Sequence, residues 1–390
     1  MKKILFVIST LNTGGAQRAF ANMSLGLPEG WGADFLLNDD QNISYDYRGN
    51  IISLGVAPQA DKTKLSYQLR VFLRRIFRLR QLKATGEYVA CISGLASANA
   101  VNILTGNKFC KTIVSFRIFM SKVVTGDGIK GWIKRVTTKW LANRADHVVA
   151  VSERMRLDLI DNFNVHPDKV VTIYNGYPLE EIDRLTREPL DAQQMEWFAN
   201  ANQMIVTVGR LDEQKDHATL IKAFAKVRND YPYVRLLILG EGEKRQELQG
   251  MINQLGMEEN VILCGFQENP YKIVARCDAF VLSSLYEGFP NTLAESLCIG
   301  IPAISTDCDS GAREILAPDT DVLHKIDDQI SLEKYGILCP VGDVDRMAEA
   351  LLTLLGDGKL LVEYRGKSRE RSRQLSINQM MLRWIELVES

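Results

Sequence analysis

Histidine is scarce in this sequence: there are four among 390 residues (His147, His166, His217 and His324), and no two stand at metal-ligand spacing. Neither a histidine-built zinc site nor a histidine general base is therefore expected. The seven cysteines (Cys91, Cys110, Cys264, Cys277, Cys298, Cys308 and Cys339) are odd in number, scattered, and never arranged as C-x-x-C. That argues against a disulfide framework or a zinc ribbon and points to a reducing compartment, most simply the cytoplasm. No apolar run reaches the roughly 18 to 20 residues that a membrane-spanning helix needs. The apolar stretch within Met1 to Ile8 is too short for a signal peptide and reads as a buried first strand.

What is present is ordinary for a folded chain, with 46% hydrophobic and 24% charged residues. At this length the expectation is two domains of roughly 150 to 200 residues, hence a cleft for small-molecule chemistry. Net charge is −1, but unevenly divided. Residues 1–190 carry 26 Lys and Arg against 17 Asp and Glu, and the remainder 21 against 31. Such asymmetry speaks to partners rather than to fold. Part of the basic excess lies in residues 70–83, where Arg70, Arg74, Arg75, Arg78, Arg80 and Lys83 interleave with Val71, Phe72, Leu73, Ile76, Phe77 and Leu79 at helical spacing. This reads either as a helix lying on an anionic membrane surface or as a domain helix with solvated arginines. No motif supports nucleic acid as a partner.

Short β-branched runs alternate with helical patterns along the chain, which predicts parallel sheets built from βαβ units. Strands are expected at 3–8, 33–37, 51–54, 88–93, 112–116, 147–151 and 170–174, and again at 204–208, 234–239, 261–264, 279–283 and 303–305. Asn175-Gly176-Tyr177-Pro178 is a turn cluster, followed by a polar stretch to Asn202 without strand character. The expected division is therefore 1–175 and 176–375. The long Arg-rich helical stretch from Leu360 to Val388 would return, over about 376–390, to the first domain.

Loops that follow strands are where ligands of such sheets bind. After the first strand, Thr10-Leu11-Asn12-Thr13-Gly14-Gly15-Ala16-Gln17-Arg18 leads into a helix. Paired glycines there let backbone N–H groups approach a phosphate, although a tight turn alone would use them equally well. The loop has neither the G-x-G-x-x-G nor the P-loop pattern, so dinucleotide-dependent and NTPase readings lose support. After the strand at 204–208 comes Gly209-Arg210-Leu211-Asp212-Glu213-Gln214-Lys215, whose Arg210 and Lys215 could clamp a diphosphate as it leaves. After the strand at 279–283 comes Glu287-Gly288-Phe289-Pro290-Asn291-Thr292-Leu293-Ala294-Glu295. It offers one carboxylate before a helix, first-turn amides, and a second carboxylate inside the helix, suited to sugar hydroxyls, phosphate and ribose.

Together, Gly209-Arg210-Leu211 with Lys215, the pair Glu287 and Glu295, and Ser305 to Ile315 resemble retaining glycosyltransferases of family 4. Gly14-Gly15 and Tyr174-Asn175-Gly176 share the likeness, which spans almost the whole chain. The resemblance implies an α/β protein of the GT-B fold, with two doubly wound Rossmann-like domains facing a cleft. The first would be the acceptor side and the second would bind a nucleotide sugar, expected to be UDP-linked. Arg210 and Lys215 would hold the diphosphate, Glu287 the transferred sugar and Glu295 the ribose. The amides of Asn291, Thr292 and Leu293 would reach the diphosphate or sugar beside Gly288 and Phe289. Gly265, Phe266 and Gln267 fall where the base is held, and Gly15 would close on the donor. Gly14, Arg18 and Arg117 are assigned to the acceptor; Arg117 stands where many relatives have a histidine. The implied acceptor is a glycan or polyprenyl-diphosphate-linked sugar of bacterial surface polysaccharide, used in the cytoplasm or on the inner face of the membrane. No metal or other cofactor is expected. Asp307-Cys308-Asp309 matches the D-x-D metal signature of a different glycosyltransferase fold, but here it lies in this family's own loop. A nucleotide-sugar epimerase of the same fold is the alternative, though no acid–base pair for it is evident.

Overall fold

The computed structural model describes residues 1–12, 14–56, 65–124, 128–309 and 311–390. Thr13 and Ser310, which belong to the quoted motifs, lie outside the described residues. The first stretch of chain gives β1 (Lys2–Val7), α1 (Gly15–Leu25), β2 (Trp31–Leu37), β3 (Asn50–Ser53), α2 (Leu65–Ala84), β4 (Tyr88–Gly94), α3 (Ala96–Leu104), β5 (Lys111–Phe116), α4 (Met120–Val123), α5 (Ile129–Ala142), β6 (His147–Ala150), α6 (Glu153–Asp161) and β7 (Val170–Thr172). Then come α7 (Leu179–Thr186), α8 (Ala192–Phe198), β8 (Gln203–Val208), α9 (His217–Val227), β9 (Val234–Leu239), α10 (Arg245–Gln254), β10 (Val261–Gly265), α11 (Tyr271–Val274), β11 (Ala279–Leu282), α12 (Asn291–Ile299), β12 (Ala303–Thr306), α13 (Ala312–Leu316), β13 (Ser331–Glu333), β14 (Gly336–Cys339), α14 (Val344–Gly356), α15 (Gly358–Gln374) and α16 (Ile377–Glu389).

Two compact units result, one of Met1–Gly176 with Ile377–Ser390 and one of Tyr177–Ser376. The sheet of the first has the order β3-β2-β1-β4-β5-β6-β7, all parallel. Its central strands are buried on both faces, as the near-continuous apolar runs require. One face packs Phe6, Phe20, Met23, Phe35, Met381 and Trp384, so α16 completes the core of this unit beside α1. The other packs Leu5, Val7, Leu79, Leu82, Cys91 and Val101, under α2 and α3.

The second unit repeats the plan as β10-β9-β8-β11-β12-β14-β13, with β13 antiparallel at the edge. Leu220, Phe224, Leu236, Ile238, Val281, Leu351 and Leu354 form its core. The second half departs from the sequence expectation in three places. β13, β14 and α14 follow β12, which the pattern had made the last strand. The polar stretch after Pro178 holds α7 and α8, the latter opened by a capping box between Asp191 and Gln194. The single helix expected over 360–388 is two helices, α15 and α16, broken at Leu375 and Ser376. There Leu375 C=O accepts from Tyr177 N–H at 3.0 Å and Ser376 bridges Tyr177, so strand-like pairing replaces the helical ladder.

Candidate active site

In a doubly wound sheet the strand order reverses at one place, and the crevice beyond the carboxyl ends of those two strands binds ligands. In the second unit that place lies between β8 and β11. The loops leaving these strands are the two that carry the charged motifs.

Beyond β8 the chain turns through a single 3-10 turn at Glu213–Lys215, capped by Asp212, whose carboxylate accepts from Lys215 N–H at 3.2 Å. Asp216 then takes a left-handed conformation, and its side chain caps α9 by accepting from Thr219 N–H. These two caps aim the Lys215 side chain across to the β11 loop. Its Nζ lies 2.6 Å from Glu287 Oε1, and the two side chains are only 14% and 8% exposed. The same oxygen accepts from Ser284 Oγ at 2.7 Å. The loops are stitched together by Leu285 N–H to Gln214 C=O, Gln214 Nε2 to Tyr286 C=O, and Ser283 Oγ to Lys215 C=O, each at 2.8 or 2.9 Å. A buried ammonium and carboxylate held this way are fixed in direction before any ligand arrives.

Arg210 behaves differently. Its side chain is 71% exposed and is held by Asp212 at 2.9 Å. It is thus a surface cation near a largely enclosed one, and it also donates to Gln214 Oε1 at 3.3 Å. Below it His217 is buried, and its Nε2 contacts Arg210 C=O at 3.2 Å. Burial pushes the imidazole down to about 4, so it is neutral at pH 7 and donates that bond to the carbonyl. His217 thereby props the loop.

The segment after Glu287 closes on Pro290 and opens α12 with no side-chain cap. An α-helix supplies no acceptor for its own first N–H groups, so the positive end of the helix dipole lies at the turn of Asn291, Thr292 and Leu293. Asn291 Oδ1 accepts from Tyr177 OH at 2.7 Å, while Thr292 Oγ1 is enclosed and meets no partner among the described residues. The Phe289 and Leu293 side chains are buried, leaving these residues only backbone to offer. Glu295 is buried one turn into α12. Gly311 lies behind the loop at φ +52°, where a Cβ would stand 2.6 Å from Pro290 Cδ; a larger residue would displace the turn. Gly265, at the end of β10, accepts from Gly240 N–H at 2.9 Å, and Phe266 beside it is largely exposed. Gln267 follows, hydrogen-bonded to Gln194.

The D-x-D segment is committed elsewhere. Asp307 is buried and takes two bonds from Arg313, at 3.1 and 2.6 Å, and one from Ile326 N–H. Asp309 pairs with Lys325 at 3.2 Å. Both carboxylates are met by cations of the chain itself. Among the described residues no three or more His, Cys, Asp or Glu side chains converge as metal ligands would.

In the first unit the reversal lies between β1 and β4. Gly14, at φ +151°, donates its N–H to Tyr45 OH at 2.9 Å, and Arg18 one turn into α1 sits 5.0 Å over the Tyr45 ring. Gly15 is exposed at the helix start. Arg117, beyond β5, donates to Asn175 Oδ1 at 2.7 Å and packs 5.1 Å over Phe20. The sequence reading missed Tyr45, which has no motif, and grouped Arg75 and Lys83 with the cations of a surface helix, whereas both are buried. Arg75 is buried and donates to Ser9 Oγ beyond β1 and Ser97 Oγ in α3, both at 3.1 Å; burial lowers its pKa to about 10. Only the register of α2 against the sheet reveals it.

With this geometry in place, comparison with known proteins fixes the class. Residues 193–374 match the model of glycosyl transferases group 1, and residues 14–181 match that of glycosyltransferase family 4. A relative from Campylobacter jejuni, N-acetylgalactosamine-N,N'-diacetylbacillosaminyl-diphospho-undecaprenol 4-alpha-N-acetylgalactosaminyltransferase, is 30% identical over 379 residues, 96% of this chain and 95% of its own. An uncharacterised glycosyltransferase of Methanocaldococcus jannaschii is 32% identical over 279 residues, 67% of this chain and 68% of its own. The solved structure of Anabaena HepE in complex with UDP superposes with a TM-score of 0.75 over 100% of both chains at 18% identity, a likeness of fold alone. The protein is a glycosyltransferase of the GT-B fold. It belongs to glycosyltransferase family 4.

Proposed function

We propose that the chain transfers a sugar, with retention of anomeric configuration, from a UDP-sugar to a glycan or polyprenyl-diphosphate-linked acceptor in the making of a bacterial surface polysaccharide. The observation that carries this reading is the Lys215–Glu287 pair, 14% and 8% exposed, at the β8/β11 reversal beside the start of α12. Lys215, the exposed Arg210 and the first turn of α12 are the groups that would neutralise a diphosphate as its charge develops. Glu287 is assigned to hydroxyls of the transferred sugar, Glu295 to the ribose, and the loop of Gly265 and Phe266 to the base. Glu287 is tied to Lys215 and Ser284 and is therefore read as a binding and orienting group rather than a nucleophile. The departing diphosphate oxygen would accept the proton of the attacking hydroxyl on the same face of the sugar, so no covalent intermediate with the protein is needed.

Transfer is proposed to need no metal, because Lys215 and Arg210 supply the positive charge and the D-x-D carboxylates are already paired with Arg313 and Lys325. Gly15 is proposed as a further phosphate contact, and Gly14, Arg18 and Arg117 as acceptor contacts. The activities named for relatives support the acceptor class: the Campylobacter relative is named for an undecaprenyl-diphosphate-linked acceptor, and an Escherichia coli relative, 28% identical over 183 residues, is named a lipopolysaccharide 1,6-galactosyltransferase. Residues 70–83 are proposed to rest on the anionic inner face of the membrane. Incubation with a panel of UDP- and GDP-sugars plus a polyprenyl-diphosphate saccharide tests this. An α-linked product from an α-linked donor, formed in the presence of EDTA, is expected. Conversion of the donor alone into an epimer, with no glycoside formed, would overturn it.

A further inference from the structure

Helix α5 is packed against its own domain by very little. Gly131 and Ala142 are buried, while Trp132, Ile133, Lys134, Arg135, Val136, Thr137, Lys139 and Trp140 are all exposed. Isolated helices of this length are marginal in water, and packing of an apolar face normally holds them. At 3.6 residues per turn, Trp132, Val136, Trp140 and Ile133 fall within an arc of about 100°, opposite the small buried residues. Trp132 is 65% exposed and Trp140 47%. Arg135 and Lys139 border the arc, and the Arg144 guanidinium lies 3.9 Å over the Trp140 ring. A stripe of two tryptophans with flanking cations, facing water, is not a core face.

Helix α2 carries a matching stripe. Leu69, Leu73 and Phe77, at i, i+4 and i+8, are all more than half exposed, and Arg70, Arg74 and Arg78 stand beside them. The connections β3 to β4, β4 to β5 and β5 to β6 step across the sheet in one direction, so right-handed crossovers put α2, α3 and α5 on the same face. Helix α3 packs on both of the others. Across residues 65–144 the sequence has 15 Lys and Arg against 2 Asp and Glu.

We infer that α5 is an interfacial anchor, seating Trp132, Val136 and Trp140 in the headgroup region of an anionic lipid surface and sharing that surface with α2. Tryptophan suits this position because its ring is apolar and its N–H stays wet. The charge ratio selects anionic lipid over a neutral surface. Among the described residues no helix is long and apolar enough to cross a membrane, so the element lies on the surface instead of spanning it. The inference adds a second contact to the one proposed for residues 70–83 and does not depend on which sugar is transferred.

Flotation at low salt decides it, using the full chain with vesicles of phosphatidylcholine containing phosphatidylglycerol or of phosphatidylcholine alone. The chain is expected to float with the anionic vesicles. Trp132→Ala with Trp140→Ala should weaken binding about tenfold, from the lost apolar contact. Trp132→Phe with Trp140→Phe should retain most of it. Arg135→Gln with Lys139→Gln should also lower anionic binding about tenfold. Arg70→Gln, Arg74→Gln and Arg78→Gln together test α2 separately, and residual binding that then depends on the tryptophans supports the α5 anchor. UDP binding in the second unit, unchanged in each variant, reports that the protein is folded. Wild-type flotation by the double alanine variant would overturn the inference. So would tryptophan-dependent dimers in ultracentrifugation from a chain that ignores both vesicle types.

Discussion

The two sheets of this protein have the same order over their five consecutive strands from one edge, with a reversal at the same place, but they load that place with opposite chemistry. In the second unit the reversal between β8 and β11 holds a largely enclosed ion pair, Lys215 with Glu287, braced by Ser284 and by hydrogen bonds between two loops. In the first unit the reversal between β1 and β4 holds a buried guanidinium, Arg75, met by the hydroxyls of Ser9 and Ser97. Its outer face is basic and apolar where the second unit is acidic overall. The lesson is that one topology fixes where a ligand goes and leaves its chemistry to a few loop residues. Here the carboxylates proposed to meet sugar hydroxyls lie in one unit, and the surface proposed to meet lipid lies in the other.

The comparison can be broken at its strongest point by removing one member of the buried pair. Lys215→Ala or Glu287→Ala should lower kcat/KM for transfer by about a thousandfold, the scale of losing a preorganised charged contact in the transition state. Circular dichroism should show an intact fold. Full activity in either variant would dissolve the contrast between the two sheets. A smaller effect, on stability, is expected next door. Asp307→Asn strips a buried ion pair from Arg313, which should destabilise the second unit by about 3 kcal/mol, read as a lower urea midpoint. If Asp307 served a metal instead, the variant would keep its stability and lose activity that depends on added divalent cation.

Milder again is the pH dependence carried by His217. Its folded pKa, about 4, lies below the ordinary value of 6.5, so the unfolded chain takes up the proton first as pH falls. The stability it confers is present above about 6.5 and is lost progressively down to about 4, amounting to about 3 kcal/mol at most. In urea titrations at pH 7 and pH 4.5, His217→Gln should flatten this part of the profile. An unchanged profile would show that the imidazole is not buried as described.

Much of this was legible in the sequence. Runs such as Met204–Val208 and Val234–Leu239 are β-branched, apolar and bounded by turns, and they form β8 and β9 as expected. The charged loops were readable because parallel sheets put ligand-binding loops after strands, so order along the chain stands in for position in space. What stayed hidden depends on contacts distant in sequence. Ser284 matters only because it shares an oxygen of Glu287 with Lys215, and Tyr45 only because it meets the Gly14 amide. The split of the last helix depends on Tyr177 pairing with Leu375 and Ser376, almost 200 residues away. The apolar stripe of α5 escaped for another reason. Its spacing is that of a core face, and only the exposure of Trp132 and Trp140 shows that it is not one.

The central claim is that the β8/β11 reversal is the donor diphosphate site, and calorimetric titration of UDP tests it most directly. UDP should bind the wild-type chain, more weakly to Arg210→Ala by about tenfold, as fits an exposed cation. Binding to Lys215→Ala should be undetectable. Equal UDP affinity in the wild type and in Lys215→Ala would contradict the account.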